Sequence, residues 1–142
     1  MTTKYVFAAL TALATLSTPA FADGDPAKGA KEFGKCKSCH AIKSADETIV
    51  KGGKTGPNLY GVIGRTAGTA EGFKFGKDLV AAGEKGLVWD AEQLEDYITN
   101  PKKFLQAYLD DKGAKSRMSY KMKKKADDVA AYLATAEIGA VQ

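Results

Sequence analysis

Cys36-Lys37-Ser38-Cys39-His40 contains both cysteines and the only histidine of the 142-residue chain. Cys-x-x-Cys-His is the attachment pattern of a covalent haem. One helical turn separates the two thiols, so both reach the vinyl groups of a single porphyrin, and the next residue projects an imidazole at the iron. A thioredoxin-like dithiol requires a βαβ context that the flanking helices and Gly-rich stretches do not supply. Zinc is excluded because Cys36, Cys39 and His40 offer three ligands and no second Cys/His pair follows. A plain disulfide is the bland alternative, and His40 placed directly after Cys39 argues against it.

The compartment agrees with that reading. Lys4 is the only charge before Asp23, an apolar run spans Val6 to Leu16, and Ala20-Phe21-Ala22 follows Pro19. This is a secretory signal with cleavage expected after Ala22; the apolar run is too short for a span of roughly 20 residues. Residues 1–22 are thus read as a signal peptide and 23–142 as one small domain, soluble and exported. The net charge of +4 falls by one with Lys4, and two haem propionates would draw it towards neutrality. That surplus is too small to suggest nucleic-acid binding, yet it permits docking on an acidic partner.

The remaining pattern is helix and loop. Asp25 is placed to cap a helix that opens at Pro26, with Ala30 and Phe33 on one face, and this helix is expected to run into Cys36–His40. From Ala41 to Phe75 seven glycines mark a long loop, which only a large buried group would organise. A short helix is expected from Lys77 to Gly83. Another starts after Trp89, with Asp90 and Gln93 as a capping box, Leu94, Tyr97 and Ile98 as its stripe, and Pro101 ending it. Residues 101–108 suit another short helical turn. A last helix is expected from about Ala126 to Ala136, with Asp127 and Asp128 at its positive end and Val129, Tyr132 and Leu133 facing inward. No strand pattern stands out. Gly52-Gly53-Lys54-Thr55 resembles the end of a phosphate loop, but Thr48 stands where that motif needs glycine.

With a single histidine, bis-histidine ligation within the chain is impossible. Both cysteines are used, and Met1 leaves with the signal, so the methionine candidates are Met118 and Met122; Lys, water or no ligand are the alternatives. Met118 lies in a polar, loop-like stretch, a poor place for a core methionine, whereas Met122 reads as packing. Met118 is therefore the favoured second axial ligand, and its thioether would raise the haem potential.

The chain resembles class I cytochromes c, most closely the cytochromes c2 of purple bacteria, over essentially all of residues 24–136. The likeness rests on Gly24-Asp25-Pro26 with Gly29 and Phe33, the haem motif, Thr55-Gly56-Pro57-Asn58-Leu59-Tyr60-Gly61 and Gly64-Arg65-Thr66-Ala67-Gly68. It continues through Trp89, Tyr97, Asn100-Pro101-Lys102-Lys103-Phe104, the Met118 segment and Ala131-Tyr132-Leu133. The resemblance implies an all-α fold of short helices and Gly-rich loops wrapped around one covalent haem c. It implies that the Pro57 carbonyl accepts the ring N–H of His40, that Arg65 and the Trp89 indole hold a buried propionate, and that Tyr97 sits beside the Met118 sulfur. Gly29 would let the first and last helices cross closely. Two departures stand out. Phe75 occupies a position where many relatives carry a propionate-binding tyrosine, leaving Tyr60 or a water as a substitute. Extra residues occur around Ile42–Gly53 and Gln106–Lys112.

An iron with two protein ligands has no open position for substrate, which points to electron transfer and away from catalysis. Lys35, Lys37, Lys54, Lys102, Lys103, Lys115, Arg117, Lys121 and Lys123–Lys125 are available to ring the haem edge. Asp90, Glu92, Glu95 and Asp96 cluster elsewhere, a charge dipole suited to steering. By resemblance, the partners are a membrane cytochrome bc complex as donor and a photosynthetic reaction centre or terminal oxidase as acceptor, met transiently by a periplasmic monomer. The alternatives are a haem module within a periplasmic dehydrogenase or reductase complex, and a gas-binding haem protein with an open sixth site.

Overall fold

Asp25 starts the fold: its carboxylate accepts the N–H groups of Ala27 and Lys28 at 2.9 and 3.2 Å, and Pro26 fills the first helical position. Helix α1 then runs over Pro26–Glu32. This computed structural model describes residues 23–139, so the expected signal peptide over 1–22 lies outside the described residues.

The helix expected to continue through the haem motif does not. After α1 the chain tightens into a 3-10 turn, Phe33–Lys35, and the motif itself is a set of turns. The cause is competition for carbonyls. The Lys37 and Cys39 oxygens, which a helix would use, accept instead from Gly53 and Gly56 N–H, each at 2.8 Å. One helical bond survives, from His40 N–H to the Cys36 oxygen at 2.9 Å, and it keeps the two thiols a turn apart.

A second correction falls in the stretch expected to be loop. Strands β1 (Ile42–Lys43) and β2 (Thr48–Val50) form an antiparallel hairpin with an irregular register. Ser44 closes its turn, its hydroxyl accepting the N–H groups of Asp46 and Glu47. Thr48-Ile49-Val50 is a β-branched run, too short to stand out among the surrounding glycines. Ile42 is fully buried beneath it.

Helix α2 spans Lys77–Glu84 and α3 Ala91–Thr99. The Asp90 carboxylate caps α3 through Gln93 N–H at 2.7 Å, but only this half of the expected capping box forms, since the Gln93 side-chain oxygen is buried without a partner. Asn100 ends α3 and its side chain caps the next helix at Lys103 N–H. With Pro101 at its start, α4 runs over Pro101–Leu109, longer than the short turn expected, and stops at Asp110, whose φ is 53°. Helix α5 spans Ala126–Leu133, ending before the expected Ala136; a 3-10 turn follows at Ala136–Ile138.

The core is a crossing of α1 on α5, flanked by α3. Gly29 makes it possible: a Cβ there would stand 1.9 Å from the Asp128 oxygen and 2.8 Å from Tyr132 Cβ. Phe33 meets Tyr132 edge-on, with ring centroids 5.7 Å apart. Asp128 is buried at this crossing and is satisfied there, accepting Asp25 N–H at 2.8 Å. Across α5, Ala126, Val129, Ala130, Ala131 and Leu133 are all buried. The loops and helices around this crossing close over a large cavity.

Candidate haem site

The cavity has a volume of about 570 Å³, within the range of cofactor pockets. Cys36, Cys39, His40, Pro57, Arg65, Trp89, Tyr97 and Met118, the eight residues singled out from the sequence, all line it. Leu59, Val62, Leu79, Leu94, Val129 and Leu133 add an apolar wall, while Lys35, Lys115 and Arg117 bring positive charge to it.

His40 is held from two directions. Its Nδ1 lies 2.9 Å from the Pro57 oxygen, which leaves Nε2 as the nitrogen free for a metal. The flat face of its ring lies on Gly56, where a Cβ would stand 2.4 Å from Cε1 and 2.8 Å from Nε2. Gly52 and Gly53 press as closely on the motif backbone, at the His40 and Ser38 carbonyls. Burial pushes the His40 pKa below its ordinary value, opposed by the bond to Pro57, a shift towards the neutral ring that a metal ligand requires.

The two cysteines are not joined to each other. Burial pushes the Cys36 thiol up to about 11. The exposed Cys39 thiol is lowered, first by a hydrogen bond from the Thr55 side chain and then by one from Ser38.

Arg65 is half-buried. Its guanidinium donates to the Tyr60 and Asn58 carbonyls at 3.2 and 3.0 Å, which aims the side chain along the cavity wall. Trp89 and Tyr97 are buried side by side with ring centroids 5.0 Å apart. The Tyr97 hydroxyl reaches Ser116 Oγ at 3.2 Å, and the same Oγ accepts Met118 N–H at 3.1 Å. Ser116 thus ties Tyr97 to the Met118 segment, a link the sequence offered no signal for. Met118 is half-buried on the cavity, whereas Met122 is 3% exposed in the core. Phe75 lines the cavity with Phe73 edge-on beside it at 4.8 Å. Tyr60, the suggested substitute for a propionate tyrosine, is not among the lining residues; its ring instead abuts Gly139.

The charges are unevenly distributed. Glu95 is pushed up, first by burial and then by Asp127, Asp96, Glu92 and Asp23, so the acidic groups of α3 and the start of α5 face one another. Lys125 and Lys35 both pair with Glu32; the Lys125 pair holds the end of α1 to the start of α5, while the Lys35 pair is local to the turn after α1.

Two thiols one turn apart, a neutral imidazole beside them and a mostly apolar cavity rimmed by cations fit a covalently attached haem. A helical shell closed on such a site defines a class I cytochrome c. No protein-family profile matches the chain, but individual relatives do. It is 59% identical over 129 residues to cytochrome c-551 of Roseobacter denitrificans, covering 90% of this chain and 92% of that one. It is 55% identical over 129 residues to cytochrome c2 of Rhodobacter capsulatus, covering 90% and 93%. The solved structure of the Rhodobacter capsulatus cytochrome c2 superposes with a TM-score of 0.78 at 54% identity, over 80% of this chain and 99% of that one. That of Paracoccus denitrificans cytochrome c2 superposes with a TM-score of 0.76 at 53% identity, over 79% and 95%. The chain belongs to this family of bacterial cytochromes c2, c-550 and c-551. It is an electron carrier with one covalent haem c, and not an enzyme.

Proposed function

We propose that residues 23–142, freed of the signal peptide, work as a monomeric one-electron shuttle in the periplasm, with His40 and Met118 as the two axial ligands of the haem iron. The observation that carries this reading is the meeting of His40 and Met118, 78 positions apart in sequence, on the wall of one cavity. Among the described residues, no helix is long and apolar enough to cross a membrane.

Bound haem supplies an iron that alternates between the ferric and ferrous states. Cys36 and Cys39 tether it, so it is not lost to the surroundings. Pro57 accepts the Nδ1 proton of His40, which orients the ring and strengthens its donation. The Met118 thioether favours the ferrous state and raises the potential. Arg65 and the Trp89 indole N–H compensate a buried propionate, a charge that would otherwise be costly to desolvate. Tyr97, tied through Ser116 to the Met118 N–H, would adjust the environment of the Met118 sulfur. With His40 and Met118 both engaged by the bound haem, the chain would leave no position for a substrate at the metal.

Lys35, Lys115 and Arg117 at the cavity, with the lysines near them in sequence, meet an acidic face of a membrane complex. A cytochrome bc complex is the proposed donor, and a photosynthetic reaction centre or terminal oxidase the acceptor.

Optical spectra of the purified protein in both redox states test the ligation. The ferric form should show the weak thioether–iron charge-transfer band, absent in Met118→Ala. The ferrous protein should resist carbon monoxide, and Met118→Ala should bind it. A ferric spectrum unchanged by Met118→Ala overturns the reading.

A further inference from the structure

Residues 115–121 form a strap over the cavity, with no helix or strand along it. Its ends are anchored in the core by Ala114, 1% exposed, and by Met122, whose N–H donates to the Ile98 oxygen at 2.8 Å. Between those anchors, every residue from 115 to 120 lines the cavity, yet all but Ser116 and Met118 are exposed. Such a segment buries little apolar surface, and its hydrogen bonds are the main restraint on local opening.

Those bonds converge on one place. Lys115 N–H donates to Asp78 Oδ2 at 2.9 Å. The Arg117 guanidinium donates to the Lys74 carbonyl, also at 2.9 Å. Gly76 lies between these two acceptors, and a Cβ there would crowd the Arg117 methylenes at 3.2 and 3.3 Å. On the inner side, Ser116 bonds Tyr97 and Met118 N–H. Phe75, Gly76 and Leu79 line the same cavity, so segment 74–79 and the strap are two walls tied to each other.

Asp78 lies in the first turn of α2, where any acidic side chain is favourable to the helix dipole. Its carboxylate does more than that, because Oδ2 is spent on an N–H 37 residues away. The bond is charge-assisted and therefore among the stronger ones holding the strap.

Resting on the proposed ligation by Met118, we infer that Asp78 is a positioning residue: its carboxylate clasps the strap to α2 and thereby keeps the Met118 sulfur in place. Opening the strap breaks the Asp78 bond and releases the sulfur. An added imidazole takes the position only in the open state, so its apparent affinity measures how often the strap opens.

The test is imidazole titration of the ferric haem protein, followed optically. Asp78→Ala should bind imidazole about tenfold more tightly than the parent, the effect of losing one hydrogen bond to a charged group. Asp78→Asn keeps a carbonyl oxygen that accepts Lys115 N–H but loses the charge, and should fall between the two, at about threefold tighter than the parent. Lys28→Ala, which removes only the exposed ion pair to Asp25 at the start of α1, should leave the affinity unmoved. The clasp is overturned by an unchanged affinity in Asp78→Ala, by an equal rise in Asp78→Asn, or by an equal rise in Lys28→Ala. Met118→Ala separates the two readings: if it binds imidazole no more tightly than the parent, the ligation itself is wrong, whatever Asp78 does.

Discussion

Replacing Gly56 by alanine puts one methyl group against the face of the His40 imidazole, the proposed haem ligand. The new Cβ would stand 2.4 Å from His40 Cε1, and ordinary contact begins near 3.4 Å, so the ring or the loop must retreat by about 1 Å. The loop has nowhere to go. Gly56 N–H is bonded to the Cys39 oxygen and Gly53 N–H to the Lys37 oxygen, each at 2.8 Å, and Gly53 already touches the Ser38 carbonyl. The ring must therefore tilt, which breaks its 2.9 Å bond to Pro57. Overpacking costs about 1–3 kcal/mol, and the lost hydrogen bond adds about 1 kcal/mol, so Gly56→Ala should lose roughly 2–4 kcal/mol. Losing the Pro57 bond also weakens the donation that favours ferric iron. If about 1 kcal/mol of that bond distinguishes the two redox states, the midpoint potential rises on the order of 40 mV. Denaturant unfolding and redox titration of the purified haem protein measure both quantities. Gly34→Ala is the matched control, since nothing lies within 4 Å of a Cβ there. A Gly56→Ala protein as stable as that control, with an unshifted potential, would refute the reasoning.

Glu32 is held down to about 2 by hydrogen bonds from Lys125 and Lys35. A carboxyl lowered on folding stabilises above its ordinary value of 4.5 and loses that contribution as pH falls through about 2. Unfolding curves at stepped pH should show a stability gap between the parent and Glu32→Gln that is constant above 4.5 and closes towards pH 2; a gap that persists at pH 2 refutes the pairing. Met122→Ala should cost about 2–5 kcal/mol as a core truncation while keeping the thioether–iron band, the reverse of what Met118→Ala does to that band. Electron transfer with an acidic partner should slow as ionic strength rises, because Lys115 and Arg117 at the cavity are exposed and screened within about 10 Å at 0.1 M salt; a rate independent of salt would remove them from the docking face.

What was legible in the sequence depended on how local its cause was. Asp25-Pro26 announced a helix start because capping and the proline ring act within one turn, whereas Pro101 reads from sequence as the end of α3, and the Asn100 cap that starts α4 is seen only in the structure. The sole histidine and the polar setting of Met118 directed attention to residues that do line one cavity. The end of α1 was not legible. The carbonyls of Lys37 and Cys39 are claimed by Gly53 and Gly56, residues far enough along the chain that no periodicity in residues 26–40 reports them. The β1–β2 hairpin was hidden for a related reason: its strands are two and three residues long, and what holds them is pairing across a Ser44 turn together with Asn58, which bonds both the N–H and the oxygen of Lys43. Ser116 and Asp78 act through bonds that only the closed structure brings together.

The two sides of the proposed haem differ in how they are built. On the His40 side, three glycines of the 52–56 loop let backbone press on backbone and on the imidazole, leaving no slack for the ring to turn. A ligand fixed this way keeps one geometry in both oxidation states, which suits a carrier that should rearrange little. On the Met118 side the proposed ligand sits on a strap whose outer residues are exposed and whose closure depends on a few hydrogen bonds to Asp78, Lys74 and Tyr97. Ligand exchange, where it happens, should therefore begin with Met118 leaving and never with His40. The bonds at risk also lie beside Lys115 and Arg117, so a docking partner that contacts those residues presses on the strap itself. An acidic surface placed there reinforces closure only if it leaves Lys115 N–H to Asp78; one that drew the Lys115 backbone away would loosen the sulfur at the moment of transfer. Comparing imidazole affinity with and without a bound acidic partner distinguishes these outcomes, and closure predicts weaker imidazole binding in the complex.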